Sequence, residues 1–342
     1  MNAAWLASGL AGAAIPILPP LERGSKPPMP NQDRPSPAPP VDAGEQIRLR
    51  SGSLEAVVSP RIGRLVSLQD VSRGNVDDVI VPLREWPAEE RRWAKAGAYP
   101  LIPYSNRVSN GKLTHAGSTF DIDPHPDAWP HSLHGHTHLL PWMAEDIRQD
   151  TVTLRVVSEP GKDWPWRFAP WQRFELAPRA LRVTLGIRNL ASESFPAGLG
   201  WHPYFAWAPG DVVRHDARWW WLFDDEYLPT GERRSLDGQN DPLENQRTAY
   251  LADWFRVDVD RGNRPSLRLT ADKRFAHLVV HHVPEAAYVC IELLSHLANG
   301  FNLAESGMEG TGIHVLEPGQ ILTGWVELQV TPAHAEGASR IT

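Results

Sequence analysis

The sequence contains a single cysteine, Cys290, in 342 residues. A lone thiol cannot close an intrachain disulfide or build a thiolate-rich zinc site, so both are excluded. A sustained basic stripe is also lacking. The chain has 34 Lys and Arg against 41 Asp and Glu, a net charge of −7. Nucleic acid is therefore not an expected partner, because a phosphate backbone demands clustered positive charge. The longest apolar run, Ala3 to Leu18, is too short and too broken by Pro16 to span a bilayer, so no membrane span is expected. Long amphipathic helical windows are scarce, and no internal repeat recurs at a fixed period.

Tryptophan and proline are plentiful: 15 Trp against 6 Tyr and 9 Phe, and 32 Pro. Many Trp can form sugar-stacking platforms, but large apolar filler in a wide β core accounts for most of them. A hydrophobic content of 42% is enough for a sizeable core in a folded chain of this length.

Residues 1–44 stand apart. An Ala/Leu-rich start runs into the Pro-rich stretch Pro27 to Pro40, which cannot form a packed core and is expected to be poorly ordered. No Lys or Arg precedes the apolar run, and no clear small-residue cleavage site precedes Pro16 and Pro19, so a cytoplasmic location is expected, with export the alternative. From about residue 45 to 333, period-2 patterns dominate. Leu181, Val183, Leu185 and Ile187 alternate with Arg182, Thr184, Gly186 and Arg188, and similar patterns run through Thr151 to Val157 and Val326 to Val330. Turn residues such as Ser158-Glu-Pro-Gly161 punctuate them. Many strands, few helices and no βαβ rhythm predict an all-β fold, a large antiparallel β-sandwich in one domain. Residues 334–342 read as a tail.

Four stretches place polar groups where a purely structural role is awkward. In Tyr99-Pro-Leu-Ile-Pro-Tyr-Ser-Asn-Arg-Val108, two prolines stiffen the approach to Asn106 and Arg107. The alternative is an ordinary surface Arg after a proline turn. In His131-Ser-Leu-His-Gly-His-Thr-His138, imidazoles at 134, 136 and 138 would share one face of an extended segment, which raises a metal hypothesis. With no carboxylate or thiolate at zinc spacing beside them, no metal is assigned. The preferred reading is that His134, before Gly135, faces a pocket while others face solvent.

In Ala197-Gly-Leu-Gly-Trp-His-Pro-Tyr-Phe-Ala-Trp207, two glycines allow close backbone approach and Pro203 holds His202 extended. Aromatic neighbours would wall this imidazole from water and move its pKa, as suits a general acid; a satisfied core histidine is the competing reading. In Ala287-Tyr-Val-Cys-Ile-Glu-Leu-Leu294, Glu292 is one carboxylate in an apolar strand. Either it is ion-paired, with Arg107 as one such partner, or burial raises its pKa toward that of a base working near neutrality. Trp219-Trp-Trp221, His281-His282 and Asp224-Asp225 read as ordinary strand and turn chemistry and are assigned no role.

Together, in this order, the stretches resemble the aldose 1-epimerase (galactose mutarotase) family over about residues 46–331. Pro-Tyr-Ser-Asn-Arg107 resembles its Pro-x-x-Asn-Arg loop, Leu133-His134-Gly135 its Leu-His-Gly, and His202-Pro-Tyr-Phe205 its His-Pro-Tyr-Phe. Tyr227-Leu-Pro-Thr-Gly-Glu232 is similar to a family turn, Val289-Cys-Ile-Glu292 to the base-bearing strand, and Leu316-Glu-Pro-Gly319 to its Leu-x-Pro-Gly. The resemblance implies a β-supersandwich, a catalytic Glu, two active-site histidines and a sugar-binding Arg. The chain departs from the family in two places. It has no Phe-Asp-Phe-like segment holding sugar hydroxyls, with Asp241 only a weak substitute, and Leu293-Leu-Ser-His296 resembles a bacterial subgroup with Ser-His at this point.

The resemblance thus implies a cofactor-independent isomerase that opens and recloses a free aldose ring. Glu292 would act as base, His202 as acid starting from imidazolium, and His134 as hydrogen-bond partner of the ring oxygen or open-chain carbonyl. Arg107 and Asn106 would hold substrate. The expected partner is a small-molecule aldose, with the chain a monomer or weak homodimer. Two rival readings are a hexose-6-phosphate mutarotase, which would need further Lys or Arg at the pocket, and a noncatalytic carbohydrate-binding sandwich.

Overall fold

Along strand Tyr288–Leu294, Val289, Ile291 and Leu293 point into one buried apolar cluster, while Cys290, Glu292 and Leu294 point to the opposite face. The same division runs along Gly200–Ala206, where Trp201 and Phe205 face inward and His202 and Tyr204 outward, and along His277–His282, where Leu278 and Val280 oppose Val279. A side-chain period of two forces this, and it lets one strand serve a core and a site together.

The computed structural model describes residues 46–85, 94–237 and 240–332. The expected leader, 1–44, and tail, 334–342, lie outside the described residues. The described chain forms two large sheets of 11 and 8 strands with three two-stranded ribbons. Its one α-helix among the described residues is Gly300–Glu305. The all-β sandwich expected from alternation is the observed architecture. Leu181, Val183, Leu185 and Ile187 are buried on strand Ala180–Asn189 of the smaller sheet.

In the larger sheet, the Glu292 strand lies between Gly200–Ala206 and His277–His282, and the latter pairs with Thr248–Ala252. Strand Ala98–Leu101 pairs with the other side of the His202 strand. All these pairings are antiparallel. Each fully buried Leu, Ile or Val on the core face is worth roughly 1.5–3 kcal/mol over exposure. Burying an imperfectly paired polar group costs about 1–3 kcal/mol. The core face of these strands can therefore offset the polar residues buried on their other face.

Candidate active site

The register lines the polar residues up in rows across the sheet. Tyr99 pairs with His202, Glu292 with Val279, and Val279 with Tyr250. The pairs Trp201↔Leu293 and Tyr204↔Cys290 bracket His202 and Glu292, which are thus cross-strand neighbours on one face. One step along the strands runs a second row, Tyr204, Cys290, His281 and Thr248. The first row from His202 to Tyr250 and the whole of the second floor a cavity of about 690 Å³. Its walls include Arg107 from a short strand and Asn106, Asp127, His134 and Tyr227 from the connecting segments, with Lys95 and Tyr288 also lining it.

At its centre His202 Nε2 lies 3.4 Å from Glu292 Oε1, both side chains being buried. The donor atoms of His134, His202 and Glu292 all fall within 4.8 Å of one another. Among the described residues, Glu292 Oε2 has no hydrogen-bond partner. The imidazole of His202 packs against both Tyr99 and Tyr204, each ring centre 4.8 Å away. Aromatic walls were expected from its own segment. Tyr204 supplies one, and Tyr99, a cross-strand neighbour, supplies the other.

Burial pushes the Glu292 carboxyl up to about 8, with the nearby Arg107 charge working against it. Burial, reinforced by the positive charge of Arg64, holds His202 well below the ordinary histidine value. The expectation that His202 rests as imidazolium is thereby corrected. A desolvated ring near a guanidinium stays neutral, and the one proton of the pair rests on Glu292. Nor are Glu292 and Arg107 joined as an ion pair among the described residues. The Arg107 guanidinium lies over the Tyr227 ring, 4.6 Å from its centre.

The Arg107 and His134 segments form a two-stranded ribbon, with Arg107 opposite Leu133. The Asn106 backbone N–H donates to His134 Nδ1, and the His134 N–H donates to the Asn106 carbonyl, both at 3.0 Å. Both residues adopt left-handed backbone, φ 57° for Asn106 and 64° for His134. That conformation is tolerable for Asn and strained for a bulkier side chain. With Nδ1 accepting, the neutral His134 ring carries its proton on Nε2. Burial, with His202 and Arg107 nearby, keeps that ring neutral.

The Ser-His that departs from the common family pattern proves to be a brace. His296 Nε2 accepts the Ser105 N–H at 3.0 Å, and Ser295 Oγ accepts the Leu199 N–H at 2.8 Å. Loop and strand are thereby tied to the end of the Glu292 strand. Close approach at the glycines is real. A Cβ on Gly198 would fall 1.9 Å from the His296 ring, and one on Gly200 2.8 Å from Leu294.

Several expectations are corrected. Positions 134, 136 and 138 do not share a strand face, because the strand ends at Leu133 and Thr137–Leu139 is a 3-10 turn. His136 instead hydrogen-bonds Ser158 Oγ at 2.8 Å, and the His138 ring lies 5.0 Å from that of Tyr99. All four histidines from 131 to 138 are buried, so none faces solvent. The grouping that can hold a metal ion is His134, His202 and Glu292, drawn from three separate segments. Asp241 lies elsewhere. It lines a separate cavity of about 400 Å³, caps Leu243 and contacts His215 at 3.3 Å. His281, assigned no role from sequence, lines the main cavity, as do the overlooked Lys95, Asp127, Thr248, Tyr250 and Tyr288. A strand alternation places His281 beside Cys290, yet nothing in the local pattern reveals which strand lies opposite.

The aldose 1-epimerase family model matches residues 45–329. This chain belongs to the aldose 1-epimerase family. The uncharacterized protein YphB of Escherichia coli K12 is 31% identical over 251 residues, 69% of this chain and 84% of that protein. A crystal structure from Escherichia coli K12, described as that of a candidate aldose 1-epimerase, superposes with a TM-score of 0.71 at 22% identity, covering 84% of this chain and 98% of the other. A galactose mutarotase-like protein from Clostridium acetobutylicum gives 0.69 at 21%, covering 83% and 94%. At such identities the two structures speak for the fold alone. Membership puts the chain among the sugar epimerases, a class of isomerase. No helix among the described residues is long and apolar enough to cross a membrane.

Proposed function

We propose that the protein is a mutarotase, interconverting the α and β anomers of a free aldose. The observation that carries this is the 3.4 Å approach of His202 Nε2 to Glu292 Oε1 on a cavity floor, with His134 beside them. Mutarotation removes a proton from the anomeric hydroxyl and delivers one to the ring oxygen. The C1–O5 bond then breaks, the aldehyde rotates, and closure occurs on its other face.

The pair holds one proton. Its form with neutral imidazole and carboxylic acid converts, by one transfer across the short gap, to imidazolium and carboxylate without gain or loss of a proton. Glu292, as carboxylate, takes the O1 proton, and His202, as imidazolium, protonates the ring oxygen; closure reverses both transfers. Arg107 near the carboxylate favours that charged form. The Nε2–H of His134 donates to the ring oxygen or the open-chain carbonyl, and Arg107 and Asn106 orient hydroxyls.

Polarimetry on fresh α-D-glucose and α-D-galactose, with the spontaneous rate subtracted, tests the proposal. Acceleration by wild type that is lost in Glu292→Gln supports it. Sugar binding without acceleration would turn the reading to a noncatalytic carbohydrate-binding module.

A further inference from the structure

The main cavity holds two cations, Lys95 and Arg107, and neither has a carboxylate partner among the described residues. The two acidic residues lining it are Asp127 and Glu292, and burial keeps Glu292 protonated near neutral pH. The lining therefore carries two positive charges against one negative, in a chain whose net charge is −7. Such an imbalance inside a concave site attracts an anion.

The two cations do different things. Arg107 is stacked on Tyr227 beside the catalytic trio. The charge of Lys95 is felt instead at Cys290 and His281, in the second row of the floor. That row is displaced by two residues from Glu292, roughly 7 Å along the strand. His281 senses Lys95, His282 and Arg247, a set without a carboxylate. Its Nδ1 is engaged by Thr248 Oγ1 at 2.8 Å, which leaves Nε2 for other contacts. Lys95 is exposed, and among the described residues it makes no ion pair that must break before it binds a ligand.

We infer that this end of the cavity is a subsite for an anionic exocyclic group, so that the preferred substrate is an acidic aldose. This rests on the mutarotase reading above. With O1 at Glu292, a carboxylate or phosphate on the carbon beyond C5 extends along the floor toward the second row, where Lys95 supplies the charge in a part of the cavity that His281 and Tyr288 also line. A uronic acid and a hexose 6-phosphate present the same chemistry there, differing in size and charge. A neutral hexose forgoes a charge-assisted contact.

The test measures kcat/KM for anomer exchange, by polarimetry or NMR exchange spectroscopy, on five sugars: D-glucose, D-galactose, D-glucuronate, D-galacturonate and D-glucose 6-phosphate. Wild type and Lys95→Met are compared, the side chain being exposed so that folding is preserved. At least one acidic sugar is expected to exceed its neutral parent by about 10- to 100-fold, in keeping with a charge-assisted contact. That ratio is expected to fall toward one in Lys95→Met and to shrink as salt is raised. Preference for the uronates or for the phosphate identifies which anion fits. Wild type favouring neutral sugars, or an acidic preference that survives Lys95→Met, overturns the inference and leaves the mutarotase reading standing. Failure to accelerate any of the five sinks that reading itself.

Discussion

His134 and Asn106 exchange two hydrogen bonds, the N–H of each meeting the Nδ1 or carbonyl oxygen of the other at 3.0 Å. This reciprocity sets the tautomer of a buried ring that lines the cavity beside His202 and Glu292.

Substituting His134→Asn separates the two uses of the ring. The amide oxygen of Asn can still accept the Asn106 N–H in place of Nδ1, while the Nε2–H donor is gone. The variant is expected to melt within a few degrees of wild type and to lose about 10- to 100-fold in kcat/KM, as loss of a strong hydrogen bond would produce. Polarimetry paired with thermal unfolding decides; full activity would remove His134 from the site.

Glu292→Gln should trade activity for stability. Burial holds its carboxyl at about 8 in the native state, against an ordinary value of 4.5. Between those values the native state holds a proton that the unfolded state has released, so native stability drains away as pH rises through that window. Removing the carboxyl removes that loss. The variant is expected to lose about 10²- to 10⁴-fold in rate yet to melt above wild type at pH 8, with the difference shrinking toward pH 4. A variant less stable than wild type at both pH values would contradict the buried, protonated carboxyl.

The pH dependence of kcat/KM reports on the same pair. Its one proton leaves as pH rises through about 8, so activity should fall above that point. Because His202 sits well below the ordinary histidine range, no acid limb is expected near pH 6.5. A rate profile centred on an unperturbed histidine would refute the arrangement.

Acid should unfold the protein for a related reason. Burial depresses His134, His138, His202, His277 and His296, the last two to about 3 and about 4. Each contributes stability that is complete above the unfolded value near 6.5 and is lost as pH falls below it, since only the unfolded chain then takes up protons. Glu292 opposes this with a single proton. The melting temperature is expected to drop steadily between pH 6.5 and 5, with more than one proton bound on unfolding.

Metal should inhibit. His134, His202 and Glu292 offer three donor atoms in a small space, so added Zn²⁺ competes with the proton that the reaction requires. Dialysis against EDTA is expected to leave mutarotation intact and micromolar Zn²⁺ to suppress it. Activity lost to EDTA and restored by Zn²⁺ would replace proton transfer with metal chemistry at the same three residues.

Much of the fold was readable from alternation alone, because each half-buried strand writes its own period into the chain. Leu181 to Ile187 is the clearest case. His202 and Glu292 were conspicuous as polar residues in apolar strands, and glycines 198 and 200 marked a close approach that the His296 ring and Leu294 now explain. The histidine run misled, because Gly135 and the turn after it destroy the extended geometry on which a shared face depends. Lys95, Asp127 and His281 were invisible as site residues. Their membership depends on which strand or loop arrives from far along the chain, and no local spacing carries that information.

The strands beneath the cavity present one set of side chains to the core and the alternate set to the cavity, while Arg107 is delivered by a two-stranded ribbon and Asp127 and Tyr227 by turns. A change in the core is thus transmitted to the cavity floor within a single residue, whereas the outer segments can be recast with little penalty to folding. Variation can therefore accumulate along the rim of the cavity while the polar rows of its floor, tied to the core beneath, stay fixed.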